Sequence, residues 1–173
     1  DALTDADYNV AIGYSALSSD TLGSRSVAIG RSALSAQNFT TATEGGNTAI
    51  GYQALATNST GTSNTSVGYE ALISNATGTT NTAVGRAAGY SFTGSSGTFV
   101  GSNAGKFAST STYSTFVGSN AGQSITGTKL TGNFNTALGY FAGYKLQGAA
   151  TVNTIIGANA GNEITTGNSN VLV

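Results

Sequence analysis

The side chains able to do chemistry are few and scattered. Seven carboxylates stand at positions 1, 5, 7, 20, 44, 70 and 163, and the chain has no histidine or cysteine. Without imidazole or thiolate, the common nucleophile–base triads are excluded. A glycosidase needs two carboxylates held several ångströms apart in a cleft. Glu44 and Glu70 do not occupy equivalent places in the repeat described below, so the sequence supplies no such pair. Asp1, Asp5 and Asp7 form the one acid cluster. Hard cations such as calcium take carboxylate oxygens, but the aspartate-bearing nonapeptide of calcium-binding β-rolls is absent, and a solvated turn is expected there. The glycines never fall into a phosphate-loop pattern and read as structural. No catalytic, cofactor-binding or metal-binding residue is therefore expected, and no enzyme.

What the chain has instead is a repeat. Asn47-Thr48-Ala49-Ile50-Gly51-Tyr52-Gln53-Ala54-Leu55 recurs with substitutions, placing Gly at 13, 30, 51, 68, 85, 101, 118, 139 and 157. An alanine follows three residues after each of them. A period of about 17 residues predicts an all-β, repetitive parallel β-roll or β-solenoid. Residues 1–173 then form one repetitive segment of nine glycine-centred repeats. A tenth begins at 170–173, as expected of a piece of a longer protein, and the absence of methionine agrees with that.

The elements that would carry any site follow from alternation. The residue before each glycine is always Ile, Val or Leu, and the residue two earlier is always Val or Thr. Side chains alternate along a strand, so these two columns share one face, which we expect to be the interior of the coil. Between them lies a second apolar column that includes Ala49, Ala83, Phe99, Phe116, Ala137 and Ile155. A strand apolar on both faces needs a second layer, and these six are the candidate interface of a homotrimer. The alanine after each glycine is expected to mark a second short strand. Leu follows that alanine in the first four repeats and Gly in the last five, with Phe99 and Phe116 expected to take up the lost volume. Two repeats carry four extra residues, within Ala36–Gly46 and Gln123–Phe134. Insertions in solenoids emerge as surface loops, which makes Phe39, Glu44, Lys129 and Phe134 candidate surface contacts.

Two further patterns bear on binding. The residue after each glycine varies and includes Tyr52, Tyr69 and Arg86. Tyr and Arg side by side could stack on sugars or pair with acidic glycans, but a solvent-facing ladder or an inter-chain contact is the favoured reading. The threonine column from Thr48 to Thr154 would space hydroxyls about 4.8 Å apart and raises an ice-binding alternative. Two residues before it stand Gly46, Ser63, Thr80, Ser96, Tyr113, Phe134 and Val152, which make no second threonine file, so structural, interior threonines are expected. The sequons at Asn38, Asn58, Asn64 and Asn75 read as turns. With 8% charged residues and a net charge of −1, the chain has no basic footprint for nucleic acid, and no apolar run is long enough to span a bilayer.

The Asn-Thr-Ala-Ile-Gly-Tyr-x-Ala-Leu motif with its Thr-Gly linkers resembles the repeats of bacteriophage tail-fibre proteins. The copy Ser26-Val27-Ala28-Ile29-Gly30 is also similar to the head repeat of trimeric autotransporter adhesins, a β-roll with three chains around one axis. The resemblance implies a homotrimeric attachment fibre on the virion, acting as spacer and as contact for a host-cell glycan or protein. A bacterial surface adhesin is the alternative. It implies no catalytic residue, because the cleaving chaperone module found at the end of many such fibres is not in this chain.

Overall fold

The structure, a computed structural model, describes residues 7–125 and 127–173. Among these residues there is no helix, and the chain winds into a parallel β-solenoid. Ten short strands stack into one sheet: β1 (Val10–Ile12), β3 (Val27–Ile29), β5 (Thr48–Ile50), β6 (Thr65–Val67), β7 (Thr82–Val84), β8 (Thr98–Val100), β9 (Thr115–Val117), β10 (Thr136–Leu138), β11 (Thr154–Ile156) and β12 (Val171–Leu172). A separate pair, β2 (Gly23–Ser24) and β4 (Thr43–Glu44), joins the first link to the first insertion. Every rung of the large sheet is parallel and in register, for example Ala49↔Ser66 and Phe99↔Phe116. The tenth rung sets Val171 beside Thr154 and Leu172 beside Ile155.

The motif glycines end the strands for a reason visible in their backbones. Their φ values run from +124° to +137°, a region that residues with a Cβ avoid. They also touch: a Cβ at Gly51 would lie 2.7 Å from the carbonyl carbon of Gly68 in the next coil. Beyond each glycine the expected second strand is absent. The alanine is buried there in every repeat but the first and last, and its N–H bonds back to the glycine carbonyl in a tight turn, as from Ala54 to Gly51 at 3.4 Å. The next residue has φ near +50° in all nine repeats, whether Leu55 at 50° or Gly122 at 53°. A chain that turns left-handed at that point cannot run on as a strand.

The interior is the reverse of the sequence expectation. Ala49, Ala83, Phe99, Phe116, Ala137 and Ile155, read as a trimer interface, are fully buried inside the single chain. The columns expected inside, Thr48 to Thr154 and Ile12 to Ile156, point outward and are half-buried or exposed. Each coil is so narrow that a three-residue strand sends one side chain inward, against the buried alanine and leucine of the turn. The compensation of volume does hold. A Cβ at Gly89 would lie 2.8 Å from the Phe99 ring, and one at Gly161 would lie 3.2 Å from Ile155.

A file of polar side chains closes the interior beside the sheet. Asn47, Asn64, Asn81, Asn135 and Asn153 are buried, each directly before a strand. Asn47 Oδ1 accepts from the Asn64 N–H at 2.9 Å, and Asn64 Oδ1 accepts from the Asn81 N–H at 3.0 Å. Each Nδ2 donates to a carbonyl across the coil, as from Asn64 to Gly78 at 2.9 Å. Such stacking satisfies an amide that would otherwise be costly to bury. Three sequons also fall inside, because Asn58, Asn64 and Asn75 are buried. The N–H groups of Asn58 and Asn75 close turns onto the Leu55 and Leu72 carbonyls, both at 3.0 Å.

Candidate functional site

Among the described residues no group of three or more His, Cys, Asp or Glu could hold a metal ion. Asp7 is exposed, while Asp1 and Asp5 lie outside the described residues. Asp20 is buried, accepting from the Gly23 N–H at 2.9 Å and from Gln37 Nε2 at 2.7 Å, so its carboxylate is spent on the fold. A shallow cleft lies between Tyr8, Arg25, Thr43 and Glu44, where Arg25 and Glu44 form an exposed ion pair at 3.1 Å. Glu44 is on the surface as expected, but paired.

The insertions are only partly surface loops. Phe39, read as a surface contact, is 5% exposed and packs beneath Gly23 and Gly45. Leu130 in the second insertion is fully buried and bridges Ala108 and Gly148 in the adjacent coils. An inserted stretch must still close a coil, and the apolar residue it carries takes a place in the stack. What protrudes is the segment around Ile125, Thr128 and Lys129, all exposed, where the Thr128 N–H returns to the Ile125 carbonyl at 3.3 Å.

The residues after the glycines form an outward ladder. Arg31 lies over Tyr14 at 5.9 Å and over Tyr52 at 5.7 Å from their ring centres. Tyr52 stacks on Tyr69 at 5.1 Å, nearly parallel. Farther along, Arg86 reaches Asn103 Oδ1 at 3.5 Å. The Glu70 carboxylate, aided by partial burial, holds the Tyr69 phenol above the ordinary tyrosine range, with Arg86 opposing. Sugar recognition uses open ring faces. Here the facing surfaces of Tyr52 and Tyr69 meet each other, which favours a cohesive ladder.

The remaining surface is the outer face of the ten-stranded sheet. Thr48, Thr65, Thr82, Thr98, Thr115, Thr136 and Thr154 form one file on it, and Ile50, Val67, Val84, Val100, Val117, Leu138 and Ile156 form the next. Neither file holds a charge. At the rim, Tyr113 stacks on Phe134 at 5.3 Å with their rings 9° apart, and both are exposed. Sequence reasoning singled out Phe134 but missed this face. The doubly apolar strands were its signal, with the two sides assigned the wrong way round.

The fold and its surfaces thus define the class: a repetitive parallel β-solenoid with a flat, uncharged outer sheet. No protein-family model, curated protein or solved structure matches the chain.

Proposed function

We propose that the chain is a structural segment of an extended attachment fibre, of the phage tail-fibre kind its repeat resembles, working as a spacer in a homotrimer on the virion surface. The observation that supports this is the unbroken run of ten in-register rungs, which makes a stiff rod about 45 Å long at about 4.8 Å per rung. Where the segment touches a host-cell glycan or protein, the side chains that stand clear of the rod are Lys129 and its neighbours in the second insertion. The test is the mass of the purified chain by light scattering, with its shape by electron microscopy. Three chains in an elongated particle are expected, and a single chain at every soluble concentration overturns the homotrimer.

The outward threonine file favours a second reading, ice binding, over its standing from sequence alone, because regularly spaced hydroxyls and methyls now face solvent. Its neighbour is aliphatic rather than a second hydroxyl file, which keeps it second. Thermal hysteresis of a freezing solution tests it directly, and freezing without hysteresis removes it.

A further inference from the structure

We propose that the chain binds ice through a double file of hydroxyls on the linkers between its coils. This rests on the ice reading above, moves it from the sheet to another surface, and stands apart from the fibre reading. Thr60, Thr77, Thr93, Thr110 and Thr131 hold one place in five successive coils, eight residues before the motif glycine, and all five are exposed. Two residues farther on stand Thr62, Thr79, Ser95 and Thr112, half-buried, with Asn133 closing the row. Thr131 keeps its place although the second insertion precedes it. An exposed place in a repeat has no packing reason to stay constant. The residue after the glycine shows this, changing from Tyr69 to Arg86 to Ser102 over the same coils. The fold alone gives no reason for five threonines in a row.

The local backbone sets the two files side by side. The residue between them faces inward: a Cβ at Gly61 would lie 3.2 Å from Asn64 Nδ2, and one at Gly94 would lie 2.9 Å from the Phe92 ring. Ser111 takes the same place and is buried. On an extended segment the neighbours of an inward residue point outward. The linkers are also tied down from inside. Asn47 Nδ2 donates to the Gly61 carbonyl at 2.7 Å, Asn64 Nδ2 to the Gly78 carbonyl at 2.9 Å, and Asn81 Nδ2 to the Gly94 carbonyl at 3.0 Å. Adjacent linkers bond to each other, from the Thr80 N–H to the Thr62 carbonyl at 3.1 Å and from the Ser96 N–H to the Thr79 carbonyl at 3.0 Å. The buried asparagine file thus holds the linkers at the pitch of the coil.

The spacing selects the occupant. The hydroxyls repeat at about 4.8 Å along the rod and about 6.6 Å across it, two residues at about 3.3 Å each. A rectangular net of this size is close to the oxygen net on a prism face of ice. Threonine suits such a face, because its branched Cβ restricts χ1 and sets a methyl beside the hydroxyl. The linkers 59–63, 76–80, 92–96, 109–113 and 130–134 carry no charge. A protein partner is held by large apolar or charged anchors, and the two files contain only threonine, serine and asparagine. A crystal lattice is the partner that repeats in two directions as they do. The threonine file of the outer sheet has an aliphatic neighbour and offers one row of hydroxyls, where the linkers offer two.

The test measures thermal hysteresis and the shape of growing ice crystals with the full chain and three variants. The double variant Thr77→Lys, Thr93→Lys sets two long charged side chains in the middle of the exposed file. It should keep the wild-type circular dichroism and lose most of the hysteresis. Thr82→Lys, on the outer sheet face, should keep both. The milder pair Thr77→Ser, Thr93→Ser removes only the methyls and installs a residue that the second file already holds at Ser95. It should melt with the wild type and still lose hysteresis, which separates ice contact from a folding defect in the lysine variant. Full hysteresis in either linker variant overturns the proposal. If Thr82→Lys alone loses it, the ice reading stands and the sheet is the face. Loss in both the linker and the sheet variants overturns the assignment to the linkers. A wild-type chain that neither depresses freezing nor shapes ice overturns the proposal together with the ice reading, and leaves the fibre reading to light scattering.

Discussion

Phe116 occupies the space into which a side chain at Gly122 would have to grow: a Cβ there would lie 2.6 Å from ring atom Cδ1. The first half of the rod solves the same packing problem the other way, with Ala49 on the strand and Leu55 in the turn, both fully buried. Leu55 and Gly122 share one backbone conformation, with φ of 50° and 53°. The volume therefore moves between strand and turn while the coil stays the same.

That equivalence predicts a strong coupling. Phe116→Ala should cost about 3–5 kcal/mol through the cavity it leaves, and Gly122→Leu about 1–3 kcal/mol through overpacking. Together they recreate the first-half arrangement, so the double variant should be more stable than the sum of the single losses by more than about 1 kcal/mol. Urea denaturation of the four proteins measures this. Simple additivity would mean that the two sites do not share one space.

The buried asparagine file should be sensitive to a single break. Asn64→Ala removes the acceptor for the Asn81 N–H and the donor to the Gly78 carbonyl. Each buried group left unpaired costs about 1–3 kcal/mol, so a loss of about 2–4 kcal/mol is expected by chemical denaturation. A loss below about 0.5 kcal/mol, the range of ordinary surface substitutions, would show that the file contributes no net stability.

The insertions should divide into an essential and a dispensable part. Leu130→Ala and Phe39→Ala each remove a buried anchor and should cost about 2–5 kcal/mol. Deleting residues 125–128, whose described members are exposed or bonded within the protrusion, should leave the melting temperature nearly unchanged. A deletion that unfolds the chain would place the protrusion in the load-carrying stack.

Tyr69 should ionise later than an ordinary tyrosine, since the neighbouring Glu70 carboxylate opposes a phenolate beside it. Its folded pKa lies above the unfolded value of about 10. The associated stability is thus complete below that pH and is lost as pH rises through the folded pKa. Glu70→Gln should bring the titration back toward the ordinary range, and Arg86→Ala should raise it further. Ultraviolet titration, with Tyr69→Phe subtracted, reads the shift. An identical curve in Glu70→Gln would remove Glu70 as the cause.

The sequence by itself determined the period, the parallel stacking, the position of every strand in the large sheet and the exchange of Leu for Gly against Ala for Phe. These follow from local rules: a glycine with a backbone other residues avoid, alternation with period two, and equivalent residues meeting in neighbouring coils. It could not decide which side of the strand is inside. Alternation separates Ala49 from Thr48 and Ile50, but both sides are apolar enough to be buried. Asn47 shares the side of Ala49, and a polar amide read alone argues for solvent. Only the stacked structure supplies the Asn64 and Gly61 partners that satisfy Asn47. Only the narrow coil limits the interior to one side chain per strand. Those two facts put Phe99 and Phe116 inside, and leave the threonine and aliphatic files on the outer face.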